Sequence, residues 1–574
     1  METVKRIPYG VASFERVIEE NMYYVDKTMY LPLLEQQPDS LFFIRPRRFG
    51  KSLFLNMLQA YYDINKKDKF EKWFGQLWIG QQPTPMQGKY QILSLDFSQV
   101  GGDISQLQEK FEDYCSMKLD SFAVVYESYY YPGFARDMKE KKFMSSKLNY
   151  LADQNSLYGN SLYLIIDEYD NFTNVVLNEQ GEEVYHALTH ASGFYREVFK
   201  KFKGMFNRIF ITGVSPVTLD DLTSGFNIGW HLSTNPQFNR MLGFSLEEVR
   251  AMFRYYQEAG ALQGDIEGMI EEMKPWYDNY CFAKSSLLNG EHMFNSDMVL
   301  YYLQNRVNFN CTPENMVDPN TRTDYSKMKK LIRLDKLDGD RKGVLRRITE
   351  EGQIITDLVT SFPASQLTDP EIFSSLLFYY GMLTIKGTRG DRIILGIPNN
   401  NVRKQYYEYA LEDYQSHHTI SFNGLKDLFD NMAFDGRWQD AMTFIARAYK
   451  ENSSVRSAIE GERNLQGFFT AYLSICSYYL IAPEVELNHG FCDLFLMPDH
   501  SRYPEVAHSY IIELKYLTVK DSAEKAQTQW EDAVRQIHGY AEGSKVQQMC
   551  RGTELHRIVM QFRGWELERM EEVY

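Results

Sequence analysis

Residues 40–63 read SLFFIRPRRFGKSLFLNMLQAYYD. An apolar run closes at Ile44, a basic loop follows, and from Lys51 the apolar positions recur at helical spacing. Strand, loop and helix in that order are what a phosphate-binding loop needs. N–H groups at a helix start converge on the anion, and a lysine reaches its outer oxygens. Gly50, Lys51 and Ser52 complete the ending of G-x-x-x-x-G-K-[ST], but Arg45 stands where that pattern has its first glycine. The loop alone therefore leaves two readings open: a nucleotide site with an unusual loop, or a basic stretch that finishes in GKS by chance.

Working outward, SLYLIIDEYD (161–170) is an apolar strand that stops abruptly at Asp167 and Glu168, with Asp170 two residues on. Adjacent carboxylates at the end of a buried strand are costly unless exposed or paired with cations. In open α/β sheets that end is where ligands bind. In a nucleotide site Lys51 contacts the β/γ-phosphates, Gly50 lets the backbone pass close, and Ser52 and Asp167 hold Mg²⁺. Glu168 orients the attacking water. Arg45 and Arg48 join Gly50, Lys51, Ser52 and Asp167 as cofactor-binding candidates, with ATP and Mg²⁺ as the cofactors. NRIFITGVSP (207–216) ends a further strand in Thr212 and Ser215, positions suited to sensing a γ-phosphate or simply to turning the chain. Arg240 is either a cation acting in cis or in trans, or a surface arginine.

With YQILSLDFS (90–98) these runs give a parallel α/β arrangement over roughly the first 245 residues. The pattern then turns helical, through SLEEVRAMFRYYQEAG and SKMKKLIRLDKLDGDRKGVLRRITEEG (326–352). Residues 369–400 read as a helix, a strand, a glycine turn and a second strand, which fits a winged-helix-like module. At 574 residues the chain is too long for one core. A net charge of −15 argues against a globally basic nucleic-acid coat but leaves room for a local basic groove. The six cysteines show no C-x-x-C pair, which suits neither a zinc site nor a disulfide framework. METVKRIPYG at the start lacks a signal-peptide apolar region, and no apolar run is long enough to span a membrane, so a cytoplasmic location is expected.

A second constellation lies near the C-terminus, where ELNHGFCDLFLMP precedes YIIELKYL. Asp493 and Glu513 are separated by room for a hairpin. Glu513 and Lys515 are two apart on a strand and share a face. Charges that interrupt such apolar runs serve one another or a metal. Two carboxylates and a lysine can hold Mg²⁺ against a phosphodiester, with the lysine orienting water or neutralising the phosphate. Glu462 is a candidate third carboxylate for the metal. Gln536 and Tyr540, one helical turn apart, either face the same cleft or sit on the helix surface. The plain alternative for E-x-K is a salt-bridged edge strand.

RIPYGVASFERVIEENMYYVDKT, RPRRFGKSLFLNML, IIDEYD, ITGVSP and GFNIGWHLS resemble the AAA-ATPase-like proteins common in gut anaerobic bacteria. WYDNYCF, IPNNNV, CDLFLMP and IIELKYL resemble their partner region, a PD-(D/E)XK nuclease-superfamily domain. The resemblance makes R-P-R-R-F-G-K-S the usual form of the loop. It implies an α/β multidomain protein in three parts. Residues 1–245 form a P-loop-type parallel α/β ATPase domain, 246–405 a helical lid and winged-helix-like linker, and 406–574 a restriction-endonuclease-like α/β domain. It further implies Glu168, Asp493, Glu513 and Lys515 as catalytic residues. The family carries G-x-G-R-x-D where this chain has NHGFCD, with His489, Gly490 and Cys492, so an arginine expected at phosphate is missing.

The expectation is a nucleoside triphosphate hydrolase whose nucleotide state regulates a Mg²⁺-dependent nuclease. Nucleic acid, DNA before RNA, is its partner, together with further copies of itself and no membrane. The rival is a nucleotide-gated switch whose nuclease fold binds nucleic acid or protein without cutting. A purely structural protein would require both constellations to be accidental.

Overall fold

The computed structural model describes residues 4–101, 106–171, 194–218, 229–313, 315–318, 344–345, 347–348, 352–363, 370–406, 424–451, 462–487, 490–500, 502–550 and 552–574. Most of the helix expected over 326–352 lies outside them, as do 225–228 and His489. The chain divides into two units. One comprises Met1–Cys311, Asn315–Lys342 and Ile355–Asn399, and the other Thr312–Glu314, Gly343–Ile354 and Asn400–Tyr574.

The first unit is built on a five-stranded sheet in the spatial order Gln91–Asp96, Leu162–Asp167, Arg208–Gly213, Ser40–Ile44, Trp230–His231. All its neighbouring pairs are parallel. Ser40–Ile44 and Arg208–Gly213 are buried along their whole length, which is why they read as near-continuous apolar runs rather than as alternation. Arg208–Gly213 lies between the strand that leads into the loop and the strand that ends in the carboxylates. Helix Lys51–Tyr62 starts at Gly50 and buries Phe54, Leu55, Leu58 and Tyr62 among its core residues.

Beyond residue 245 this unit is mainly helical. Helix Leu246–Glu258 opens on a capping box, in which the Ser245 hydroxyl accepts from the Glu248 N–H while Glu248 accepts from the Ser245 N–H. Helix Pro370–Tyr379 precedes an antiparallel hairpin, Thr384–Arg389 with Arg392–Gly396, turned at Gly390. This matches the helix–strand–turn–strand reading.

The second unit carries a mixed sheet in the order Tyr479–Leu487, Gly490–Pro498, His508–Leu517, Glu554–Arg563, Glu566–Glu572. Every pair is antiparallel except His508–Leu517 with Glu554–Arg563. Parallel strands need a crossover, supplied here by helix Ala523–Ala541 and the short helix Ser544–Met549. Helices Leu425–Asp435, Gln439–Glu451 and Glu462–Leu473 contribute Phe429, Ile445 and Phe468 to one core. Ile512, Leu514, Ile558 and Met560 meet them there. Ile511 and Val559, of opposite parity, pack with Trp530 and Ile537 of the crossover helix in a second core.

Candidate functional sites

The loop of the first unit combines strained backbone with a helix start. Arg48 and Gly50 both hold left-handed φ values, +65° and +87°. A Cβ on Gly50 would meet nothing closer than the Ser296 hydroxyl at 3.8 Å, so backbone conformation rather than space requires glycine there. The first N–H groups of helix Lys51–Tyr62 have no acceptor within the helix, and they lie beside a cavity of about 380 Å³. Gly50, Lys51, Ser52, Arg48 and Glu168 line that cavity. Lys27, bonded to Glu248 at 2.6 Å, lines it as well, a cation that sequence reading did not single out.

Lys51 is buried, and its Nζ donates to the Arg45 and Pro46 carbonyls, each at 2.9 Å. The Ser52 hydroxyl donates to Asp167 Oδ2 at 2.8 Å, which joins the two elements the sequence paired across 115 residues. Burial pushes the Asp167 carboxyl above its ordinary value, against the pull of the Ser52 hydrogen bond and the Lys51 charge. Burial likewise raises Glu168 and lowers Lys51. Glu168 holds φ +48° at the strand end, a left-handed conformation unusual for glutamate, and lines the cavity. The Ser52 hydroxyl and Asp167 carboxylate are hard oxygen donors, the chemistry Mg²⁺ takes.

Arg48 Nη1 pairs with Asp297 Oδ2 at 2.7 Å, so this loop cation is tied to helix Ser296–Phe309. Arg45 lies elsewhere. It is 1% exposed, donates to the Ile44, Ser233 and Phe238 carbonyls, and lies between the Phe43 and Phe282 rings at 4.3 and 4.1 Å. Asp170 is buried, and its carboxylate accepts from the Val214 and Ser215 N–H groups at 3.1 and 2.8 Å. The Thr212 hydroxyl donates to the Phe43 carbonyl, and Ser215 is fully buried. Arg240 pairs with Glu247 at 3.1 Å on the surface.

In the second unit the geometry gathers four charged groups. Asp493 directly precedes, and Glu513 directly follows, the cross-strand pair Leu494–Ile512. Asp493 Oδ2 accepts from the Leu514 N–H at 2.8 Å. Lys515 Nζ lies 2.8 Å from Glu513 Oε1, 3.4 Å from Glu462 Oε1 and 3.9 Å from Asp493 Oδ2. Glu513 is 2% exposed, and its Oε2 finds no hydrogen-bond partner among the described residues. An orphaned buried carboxylate oxygen, beside two further carboxylates, fits an oxygen-binding divalent cation.

Burial, reinforced by Glu513, raises the Asp493 carboxyl well above the carboxylate range. Burial raises Glu513 too, opposed by Lys515. For Lys515 burial alone would lower the value, but Asp493, Glu513 and Glu462 together hold it above that of an ordinary lysine. Gln466, one helical turn after Glu462, donates from Nε2 to the Asp493 carbonyl at 2.8 Å. The four-residue spacing from Glu462 was the only trace of it in the sequence. Tyr540 is buried, and its hydroxyl is raised to about 12 by burial and by Glu513 nearby. Gln536 is exposed.

Residues 8–223 match the family model for AAA-ATPase-like proteins, described as "Predicted AAA-ATPase". Residues 460–572 match the model of the PD-(D/E)XK nuclease superfamily. The loop and its carboxylates fall inside the first match, and Glu462, Asp493, Glu513 and Lys515 inside the second. An "Uncharacterized protein in vnfD 5'region" of Azotobacter chroococcum mcd 1 is 26% identical over 305 residues, 53% of this chain and 52% of that protein. The chain thus spans about half the length of that curated relative. Among the described residues no helix is long and apolar enough to cross a membrane.

Proposed function

We propose that this chain, with an AAA-ATPase-like domain ahead of a PD-(D/E)XK nuclease-superfamily domain, binds and hydrolyses ATP with Mg²⁺ and uses its nucleotide state to regulate a divalent-metal-dependent nuclease. The observation that carries the reading is the orphaned Glu513 Oε2, on a carboxylate whose other oxygen shares Lys515 Nζ with Asp493 and Glu462. Asp493, Glu513 and Glu462 are the residues that would hold a cation there, and Ser52 with Asp167 those that would hold one beside the nucleotide. A bound divalent cation supplies Lewis-acid chemistry, acidifying a water and neutralising charge at the phosphodiester.

The protein's own groups do the rest. Lys515, raised by its carboxylates, stays a cation across neutral pH, so it offers charge to the attacked phosphate rather than acting as a base. Gln466 fixes the backbone that presents Asp493. In the first domain Lys51 leaves the Arg45 and Pro46 carbonyls for the phosphates, and Glu168, already at the cavity wall, orients water. Nucleic acid is the partner that the nuclease-superfamily domain brings, and DNA is the first substrate to try.

The test is cleavage of single- and double-stranded DNA and of RNA, with Mg²⁺ or Mn²⁺, with and without ATP. Lys515→Ala should abolish cutting, and Lys51→Ala should abolish any ATP effect while leaving basal cutting. Nucleic acid bound but uncut under every condition would sink the nuclease reading and leave the nucleotide-gated binding switch.

A further inference from the structure

We propose that His508, His556 and Glu554 form a transition-metal site of the Zn²⁺ class, separate from the carboxylate–lysine site. Three observations meet there. His508 and Glu554 are register partners at the start of the two parallel strands, and His556 pairs with Tyr510, so both histidines stand on one face. His508 Nδ1 and His556 Nε2 face one another at 3.0 Å, Glu554 Oε2 lies 3.5 Å from His508 Nδ1, and one ligand atom from each residue falls within 4.8 Å of the others. His556 is also oriented from behind. Its Nδ1 lies 2.7 Å from Glu572 Oε1, and the other oxygen of Glu572 accepts from Trp438 Nε1 at 3.1 Å.

That last arrangement decides the chemistry. A carboxylate holding Nδ1–H leaves Nε2 as a lone pair, the carboxylate–histidine device that orients and strengthens metal-binding imidazoles. In that tautomer the His556 lone pair faces His508 Nδ1, and the hydrogen bond between the rings needs one proton, on His508. Zn–N bonds of about 2.0–2.1 Å at a tetrahedral angle put ligand nitrogens about 3.3 Å apart, so a metal replaces that proton with a shift of a few tenths of an ångström. The rings are held for it. Tyr510 stacks on His556 at 4.8 Å, and a Cβ on Gly436 would lie 2.8 Å from His508, so backbone packs directly against that ring. Glu554, 70% exposed, stands on the solvent side of the site.

Two imidazoles and one carboxylate suit Zn²⁺ and its neighbours rather than Mg²⁺, which takes oxygen. His508 differs in parity from Glu513 and Lys515, and lies about 17 Å along the strand from Glu513. The two sites therefore fill independently.

Full-length protein stripped with chelator and dialysed should be titrated with Zn²⁺ and Co²⁺, counting bound metal by elemental analysis and following the Co²⁺ visible band. The wild type should retain one Zn²⁺ per chain, gain thermal stability from Zn²⁺ but not from Mg²⁺ at this site, and keep both properties in Glu513→Gln. His556→Ala should lose the metal, and Glu572→Gln should bind it about 10–100-fold more weakly. Should His556→Ala fail to fold, the exposed Glu554→Gln serves in its place, with binding weakened at least about tenfold. A wild type that retains no Zn²⁺, or Zn²⁺ binding unchanged in Glu554→Gln and Glu572→Gln, overturns the proposal.

Discussion

In the loop 45–52 two cations are buried by different means. Arg45 is enclosed by three carbonyls and two aromatic faces, whereas Lys51 rests on two carbonyls at a cavity wall. Cation–π contact and carbonyl acceptors compensate a guanidinium for lost water, and removing it strands those acceptors. Arg45→Met should cost about 3 kcal/mol in a denaturant melt while the folded protein still binds nucleotide. Lys51→Ala should do the reverse, losing nucleotide in a titration with stability changed by less than about 1 kcal/mol. An Arg45→Met protein of unchanged stability and lost affinity would put Arg45 at the phosphate after all. Glu168→Gln should keep nucleotide affinity and lower ATP turnover by about a hundredfold or more, read by phosphate release, because only the water-orienting charge is removed.

Between elements, the end of Arg208–Gly213 is a tight join near the loop. A Cβ on Gly213 would lie 2.3 Å from Asp170 Oδ1 and 2.7 Å from the Tyr169 ring. Gly213→Ala should drive Asp170 off the Val214 and Ser215 amides, costing about 2–3 kcal/mol and weakening nucleotide binding. Ser245→Ala removes half of a capping box and should cost about 1 kcal/mol with no effect on nucleotide. Paired melts and nucleotide titrations check both. The same contrast explains what could be read from sequence. The parallel strands were legible because burial on both faces leaves continuous apolar runs, and Asp167, Asp493, Glu513 and Lys515 because each interrupts or ends one. Strand Glu566–Glu572 was not legible. It is a partly exposed edge reading ELERMEE, where charges mask the alternation, and Trp230–His231 is too short for any period. Arg45 gave no sign of its burial, since only the fold brings Phe282 onto it. His508 and His556 likewise meet only through strand register, and Gln536 and Tyr540, alike in sequence spacing, differ in exposure.

For the molecule as a whole, the raised carboxyls set a pH dependence. Asp493, Glu513, Asp167 and Glu168 all lie above ordinary carboxylate values when folded. At these four groups the metal-free folded state holds more protons than the unfolded chain from about pH 4 upward, so their contribution to stability falls as pH rises through that window. Divalent cations bind the deprotonated groups, so Mg²⁺ should flatten the fall and its stabilisation should grow with pH. Melting temperatures across pH, in chelator and in Mg²⁺, check this, and a chelator curve that is level above pH 4 would contradict it. The place of Arg208–Gly213 in the first sheet bears on the order of assembly. Because that strand separates Ser40–Ile44 from Leu162–Asp167, the Ser52–Asp167 contact cannot close on a growing chain until residue 213 has emerged. Synthesis at about 5–20 residues per second keeps the carboxylate strand waiting for several seconds without its inner neighbour. A nascent chain arrested before Arg208 should be nucleotide-blind and chaperone-bound, and one released past Gly213 should begin to close its loop.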